Sequence, residues 1–468
     1  MIRLFNRYIP VKYVLFFFVE HLILLGSGYL VVVMRSFALH SEFNPAVLSH
    51  DPTVFWKIVF ITIVCQLCLA YNKLYTQLIP PVEVLLTRLF QSFAIAWLLL
   101  FILYFLLPGL ETGRPFFLLH VSLSPLFLAL ARLGLRDVLS RDEFKEKVLI
   151  VGSGHLAKLV GRHLMAHHDP GFEVVGFIDQ DPARIGAPVI NPKVIGIPQQ
   201  IPAIVQAHNV KKVVIALPER RGRLPMEPLL ECKVRGVEVL DGQSFYERLT
   251  GKIVLEGLNP GWLIFSEGFS RQRLTLLAKR IIDVFCAIVG LAITAPVVLI
   301  LAALIRLDSA GPILYRQQRV GEGQRPFTLL KLRSMRTNAE AHGSPVWAVE
   351  DDPRTTRIGR IMRKLRLDEL PQMINVLKGE MSFVGPRPER PEFVATLAQK
   401  VPYYNLRHSV KPGITGWAQI RYPYGASVED AVEKMHYDLY YIKNLSLGFD
   451  LLILFETVRI MLLGKGAR

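Results

Sequence analysis

Four long apolar stretches open the chain, approximately Tyr13–Met34, Phe55–Tyr75, Leu85–Leu107 and Pro115–Leu133. Each approaches the roughly 20 residues that a helix needs to cross a bilayer. The first is longer than a signal-peptide core and lacks an obvious small-residue cleavage site, so it is expected to be retained. Arg3, Arg7 and Lys12 precede the set, and Arg132, Arg136, Arg141, Lys145 and Lys147 follow it. The connections 35–53 and 108–114 carry only Arg35 and Arg114, both at their edges. By the positive-inside rule, both ends of a four-span bundle face the cytoplasm.

The periodicity then changes. Lys147–Val151 reads as a buried strand that turns through Gly152-Ser153-Gly154-His155-Leu156-Ala157 into a helix, a G-x-G-x-x-A variant of the dinucleotide fingerprint. A second strand, Glu173–Ile178, ends at Asp179, where a ribose-binding acid would stand, and Lys212–Ala216 and Val237–Leu240 supply further strands. Gly152, Gly154 and Asp179 are thus candidate nucleotide contacts, although such a turn serves plain close packing equally well. His155, His163, His167 and His168 show no metal-ligand pairing and read as surface residues.

Past Gly261, Lys279-Arg280 opens a very apolar segment, Ile281–Ile305, interrupted by Asp283 and Pro296 and closed by Arg306. It is long enough to span a membrane. Crossing would place Arg306, Arg316, Arg319 and the later basic chain outside, against the charge bias. A helix that enters one leaflet, bends at Ala295-Pro296 and returns satisfies both the length and the charge. Leu447–Leu463 mixes Asp450, Glu456, Thr457 and Arg459 with apolar residues, as expected of a helix lying in the interface.

The pattern predicts a membrane protein of α plus α/β class. It has a four-span bundle over residues 1–140, a Rossmann-like domain over 145–262, and a unit over 271–468 with a re-entrant helix at about 279–306. Neither internal repeats nor low-complexity tracts stand out.

Composition narrows the partners. Formal net charge is +16 and half the residues are hydrophobic. Such a balance calls for anionic lipid headgroups or a phosphorylated substrate. Nucleic acid, the third anionic partner such a charge would suit, is the weakest of the three and is not expected, because no reading motif accompanies the charge. Cys65 and Cys68 form C-x-x-C within an apolar run and, like Cys232 and Cys286, read as packing residues without a disulfide framework.

The candidate chemistry centres on Leu367-Asp368-Glu369-Leu370-Pro371-Gln372. It follows a basic run of Arg354, Arg357, Arg360, Arg363, Lys364 and Arg366. Pro371 suits the first turn of a helix, so the acids are expected in or just before a helix start, where free N–H groups favour a phosphate. Adjacent acids point in different directions on a helix. One could attack a phosphorus while the other holds a metal or orients the partner. The bland alternative is a solvated acidic pair neutralising a basic helix. Around the pair gather Gln317–Gly321, Lys331-Leu332-Arg333-Ser334-Met335, Val384-Gly385-Pro386-Arg387-Pro388-Glu389, Lys411-Pro412-Gly413-Ile414-Thr415-Gly416 and Asp438. Arginine suits bidentate contact with a diphosphate, and Gly385-Pro386 would fix a turn presenting Arg387.

Residues from about Arg271 to Arg468 strongly resemble the bacterial sugar transferases, the polyprenyl-phosphate phosphoglycosyl transferases. The resemblance rests on Lys331–Met335, LDELPQ, VGPRP and KPGITGWAQ. The four spans and the α/β unit make the chain similar to the large members, which start exopolysaccharide or O-antigen synthesis.

The resemblance implies a monotopic catalytic unit with a re-entrant helix at the cytoplasmic membrane, and a ping-pong transfer requiring Mg²⁺. A hexose 1-phosphate would pass from a UDP-sugar to polyprenyl (undecaprenyl) phosphate, with release of UMP. Asp368 would be the nucleophile and Glu369 its partner at the metal. Lys331, Arg363 and Arg387 would contact phosphate, with Arg333, Arg360, Pro386, Lys411 and Asp438 completing the substrate site. Ala295 stands where many members have serine. Bundle and α/β unit offer surface for a homodimer. Two other classes stay open: a membrane-tethered, nucleotide-sugar-modifying oxidoreductase using the glycine-rich turn, and a non-catalytic assembly or regulatory protein whose acidic pair is structural.

Overall fold

The computed structural model describes the chain apart from residues 41–51, 76–81, 110–113, 140–144, 167–171, 218–223, 337–353 and 463–468, and single positions 1, 5, 6, 10, 73, 108, 257, 259, 270, 271, 423, 424 and 426. Arg141, His167, His168 and Arg271 therefore lie outside the described residues.

The apolar stretches form helices α1 (Val11–His40), α2 (Pro52–Tyr71), α3 (Val82–Leu106) and α4 (Arg114–Leu139). By length and apolarity, α1 to α3 can each cross a membrane. The described apolar part of α4, Ser122–Leu135, is shorter than a span, and Pro125 interrupts that helix. Cys65 and Cys68 are buried between the helices as packing residues. Gly28 lets α1 approach α2, since a Cβ there would lie 2.7 Å from Ile58. Arg132, counted above among the cytoplasmic flanking charges, is instead buried in the bundle. Its Nε donates to Glu20 Oε1 at 2.5 Å and its Nη2 to Glu20 Oε2 at 3.0 Å. A charge inside an apolar bundle is costly alone, so each supplies the other's counter-charge.

Beyond the bundle, β1 (Glu146–Val151), α5 (His155–Ala166), β2 (Phe172–Ile178), β3 (Val194–Gly196), α6 (Ile201–His208), β4 (Lys212–Ile215), α7 (Met226–Val234), β5 (Glu238–Asp241) and α8 (Gly242–Thr250) alternate. The five strands pair in parallel in the order β3-β2-β1-β4-β5. Near-continuous burial of β1 and β4 is what a sheet covered on both faces demands. The pattern missed β3, whose three residues are too few for a period to register.

The C-terminal unit begins earlier in the chain than its motifs do. After α8, Ile253, Leu255 and Leu258 enter its core beside Trp417, Leu439, Tyr440, Tyr441 and Phe449. Trp417 Nε1 donates to Gly251 O at 2.8 Å, and buried Lys443 pairs with buried Glu247 at 2.6 Å. Ile253, Leu255 and Leu258, ahead of the expected start at 271, thus lie in the C-terminal core, while Val254 between them packs in the α/β core.

Helix α9 (Pro260–Phe265) leads to α10 (Arg273–Asp308), 36 residues long with Pro296 inside. The hairpin β6 (Leu314–Val320) and β7 (Pro326–Leu332) follows. Then come α11 (Arg357–Lys364), α12 (Gln372–Lys378), β8 (Ser382–Val384), α13 (Pro391–Lys400), β9 (Gly413–Thr415), α14 (Trp417–Arg421), α15 (Val428–Lys443) and α16 (Leu447–Leu462).

Both halves of α10 hold this one unit. In the first half, Arg280 donates to the carbonyls of Val376 and Leu377 at the end of α12, and Asp283 Oδ1 accepts from Phe383 N at 3.1 Å. In the second half, Leu301 and Ile305 pack on Leu332 and Met362, and Asp308 Oδ2 accepts from Ile358 N. Between these attachments Ile288, Ile293, Val297, Leu299 and Ile300 are exposed.

Helix α16 inverts the expected amphipathic pattern. Asp450 is buried against Lys279 and Tyr441, and buried Arg459 donates to Glu456, so these polar groups face the protein. Leu451, Val458 and Met461 face outward. Arg459 also lies 5.8 Å from the Tyr71 ring at the end of α2, which brings α16 to the edge of the bundle.

Candidate active site

Arg366, with φ 54°, ends α11 in the left-handed region and redirects the chain into the single 3-10 turn Leu367–Glu369. Pro371 then stands directly before α12, so the acids lie just ahead of a helix as expected. The amides of Met373 and Ile374 bond to the Leu370 and Pro371 carbonyls, so side chains rather than these helix-start N–H groups supply the positive field.

Two cations from distant segments converge on Glu369. Lys331 Nζ, from β7, donates to its Oε1 at 2.9 Å, and Arg387 Nη2, from the loop after β8, donates to the same oxygen at 2.7 Å. Lys331 Nζ stands 4.0 Å from Asp368 Oδ2. Asp368 and Glu369 are 7% and 9% exposed, which rules out the solvated acidic pair.

Their environments push them apart. Burial raises the Asp368 carboxyl above the ordinary range, and neighbouring Glu369 adds to this against the pull of Lys331, Arg363 and Arg387. Burial also acts to raise Glu369, but Arg387 and Lys331 overcome it and hold Glu369 well below the carboxylate range. Glu369 is thus a fixed anion anchoring two cations, while Asp368 is a costly, poorly compensated anion beside them. Any reaction that uses ionised Asp368 should fail on its acid limb at a pH above the ordinary Asp value of about 3.9. A pH profile of kcat/KM checks this, and full activity down to pH ~4 would contradict it.

Arg387 is held by a device made of glycines. Strands β8 and β9 run parallel, and a Cβ on Gly413 would lie 2.1 Å from Gly385 N. One on Gly416 would lie 2.2 Å from Gly385 O. The VGPRP and KPGITG motifs are therefore two halves of one contact that only hydrogen side chains allow. Buried Pro386 contributes its carbonyl, which accepts from Gly413 N at 2.9 Å. Arg407 fastens the other side. It donates to Arg387 O at 2.9 Å and to Tyr404 Oη, and pairs with Asp438 at 3.0 Å. Asp438 is pushed up to about 6 by burial, against the pull of Arg407. Arg319 adds a bond to Pro388 O at 3.0 Å.

The candidate substrate residues thus separate. Lys331 and Arg387 meet the acidic pair, and Arg363 acts on Asp368 through its charge. Asp438 works through Arg407 rather than at the pair. Arg333 is buried at the end of α10, donating to the carbonyls of Ala310, Ser309 and Ile305. Arg360 is exposed on α11. Lys411 Nζ sits with the Arg280 guanidinium beside Gly379, at the end of α12. Sequence reasoning missed Arg407, which stands outside every motif, and named Arg319 only within Gln317–Gly321 without giving it a role.

In the α/β unit, the Asp179 carboxylate is satisfied locally. It accepts from the Ser153 hydroxyl, from Asp181 N at 3.0 Å and from Arg184 Nη1 at 2.9 Å. Gly152 has φ +119°, and a Cβ there would lie 2.7 Å from Ala216 O, so its packing alone requires glycine. Gly154 opens the first turn of α5, where its carbonyl accepts from Lys158 N. These contacts favour the packing role of the fingerprint over a ribose site.

Lys331 and Arg387 thus clamp a buried acidic pair in the turn before α12, a helix that packs on the long apolar helix α10. Residues 274–464 match the bacterial sugar transferase family, and residues 74–239 match a CoA-binding domain. The exopolysaccharide production protein PSS of Rhizobium leguminosarum bv. phaseoli is 42% identical over 188 residues, 39% of this chain and 94% of that one. The UDP-N-acetylgalactosamine-undecaprenyl-phosphate N-acetylgalactosaminephosphotransferase of Aeromonas hydrophila is 42% identical over 240 residues, 51% of this chain and 56% of that one. The undecaprenyl-phosphate glucose phosphotransferase of Komagataeibacter xylinus is 32% identical over 328 residues, 69% of this chain and 60% of that one. The chain thus spans a little over half the length of the last two. It belongs to the bacterial sugar transferase family.

Proposed function

We propose that this protein transfers a sugar 1-phosphate from a UDP-sugar to undecaprenyl phosphate at the cytoplasmic face of the membrane, an opening step of exopolysaccharide synthesis. The observation that carries the reading is the unequal pair: Glu369 anchors Lys331 and Arg387, leaving Asp368 ionisable beside two phosphate-binding cations. The donor diphosphate lies along Lys331, Arg387 and Arg363. An Asp368 carboxylate oxygen attacks the β-phosphorus. The bond from that phosphorus to the bridging oxygen breaks, and UMP leaves with the electron pair. The acceptor's phosphate oxygen then attacks the same phosphorus, the Asp368–phosphorus bond breaks, and the carboxylate is restored. Splitting one transfer into two is the gain of covalent catalysis, and positioning among fixed cations supplies the rest.

A magnesium ion fits the donor set. Both bonds to Glu369 fall on Oε1, so Oε2 and the Asp368 carboxylate are the oxygens that would hold it. Two carboxylates plus substrate phosphates is an ordinary magnesium arrangement. When bound, the ion would neutralise the diphosphate and the departing UMP.

The re-entrant reading of α10 draws support from its two attachments to one unit, with exposed apolar residues between them. The parallel order β3-β2-β1-β4-β5 supports the Rossmann-like reading of the α/β unit. Cysteines introduced at exposed Glu267 and Glu322 should both resist an impermeant reagent in intact cells and react after lysis. Labelling of the Glu322 site alone in intact cells would make α10 a true span. Pro296→Leu, which restores a backbone donor in mid-helix, should shift the helix toward that spanning state at the expense of activity.

The transfer reading itself is tested by isotope exchange. With UDP-sugar and labelled UMP, and no lipid acceptor, the protein should return label to the UDP-sugar pool. Absence of exchange in active membranes would rule out the two-step route.

A further inference from the structure

The turn carrying the acidic pair also closes one end of a second feature that the chemistry above leaves unused. Between α12, the β8–β9 pair, α14 and α16 lies a cavity of about 160 Å³. Arg366 and Glu369 stand at its polar end. Leu370, Phe383, Ile414, Ile420, Ile460 and Met461 supply most of its apolar wall, and Gln419 also lines it, its Nε2 donating to Ile414 O at 3.2 Å. Thr415 and Thr457 also reach it, but their hydroxyls bond each other at 2.7 Å, and Thr457 donates to Ile453 O at 2.8 Å. Both hydroxyl protons are spent within the wall, so a sugar or nucleotide would find few donors there.

Its size and position suit a hydrocarbon. An apolar cavity of about 150 Å³ takes up benzene, so this one accommodates about one isoprene unit. Met461 belongs both to the cavity wall and, at 47% exposed, to the outward apolar face of α16 that also carries Leu451 and Val458. The cavity therefore joins the buried carboxylates to the lipid-facing surface. In a phospholipid, a glycerol backbone separates the phosphate from its chains. In a prenyl phosphate, the phosphate sits directly on the first branched unit. Only the second arrangement puts a phosphate at Arg366 while its own hydrocarbon fills the adjoining space.

We propose that this cavity seats the first isoprene of the polyprenyl phosphate acceptor, with Arg366 at the phosphate end and the rest of the chain leaving past Met461 into the bilayer. The proposal rests on the transferase reading and adds to it the acceptor's place. It also gives the two half-reactions separate geography, with the donor on Lys331 and Arg387 and the acceptor on the α16 side of Glu369.

Ile460→Trp and Ile420→Trp, made singly in the full-length protein, should fill the cavity. The KM for undecaprenyl phosphate should rise about tenfold or more, the scale on which a pocket responds to misfitting hydrocarbon. UMP exchange, which needs no acceptor, should stay within about twofold of the parent, which also shows that the variant folds. Unchanged acceptor KM with exchange intact overturns the assignment while leaving the transferase reading standing. Loss of exchange in the parent protein takes both down. An independent measurement uses the unaltered protein in membranes, with a prenyl phosphate carrying a diazirine on its first isoprene. Crosslinks at Phe383, Ile420 or Ile460 that undecaprenyl phosphate competes away support the cavity. Crosslinks confined to the exposed face of α10, or equal labelling by a diazirine phospholipid, overturn it.

Discussion

Asp368→Asn is expected to abolish both sugar-phosphate transfer and UMP exchange, by roughly four orders of magnitude or more, as when the nucleophile of a covalent mechanism is removed. The amide keeps the shape but cannot attack phosphorus. Stability should move the other way. The folded site raises the Asp368 carboxyl, so the ionised form costs stability as pH rises from the unfolded Asp value through the folded one. Asparagine removes that cost, and thermal unfolding at neutral pH should show a midpoint equal to or above the parent's. Glu369→Gln should behave oppositely, because it leaves Lys331 and Arg387 without their shared counter-charge. An Asp368→Asn protein that transfers near the parent rate would eliminate Asp368 as nucleophile. One that loses stability as Glu369→Gln does would make the pair structural.

Arg407→Ala carries the second large effect. Arg407 is 8% exposed and joins Asp438, Tyr404 and the Arg387 carbonyl. Truncation strands Asp438 without its cation, and breaking such a buried pair costs about 3–5 kcal/mol. It also frees the loop that aims Arg387 at Glu369. Donor KM and kcat should both suffer, whereas Arg407→Lys keeps the charge but cannot reach three acceptors at once. That variant should recover more stability than activity. Equal recovery of both would show that Arg407 serves the fold alone.

Much of this was legible in the chain's pattern. Lengths of apolar residues announce α1 to α3 and α10, because a bilayer demands a minimum run and tolerates few charges within it. Strands β1, β2 and β4 were readable because a sheet covered on both faces needs apolar runs, and the edge strand β5 because Val237–Leu240 is a short apolar-rich run. The acidic pair stood out because two adjacent acids amid so many cations are conspicuous in one dimension. Direct attachment of Lys331 and Arg387 to Glu369 was foreshadowed only as motifs clustering along the last two hundred residues.

What the sequence by itself determined is therefore the local inventory: membrane-length helices, a parallel sheet, an ionic cluster and the resemblance its motifs carry. Tertiary structure alone decided which polar residues work at the site and which hold it. Arg333, in a motif, caps α10, while Arg407, in none, positions Arg387. Arg132 turned inward to Glu20, and the polar residues of α16 turned toward the protein. Ile253, Leu255 and Leu258 joined a C-terminal core that the change of pattern past Gly261 gave no reason to expect. The physical reason is common to all of these. Periodicity encodes how a segment meets its own neighbours, whereas a buried charge takes its meaning from a partner tens or hundreds of residues away, and that pairing exists only once the chain has folded.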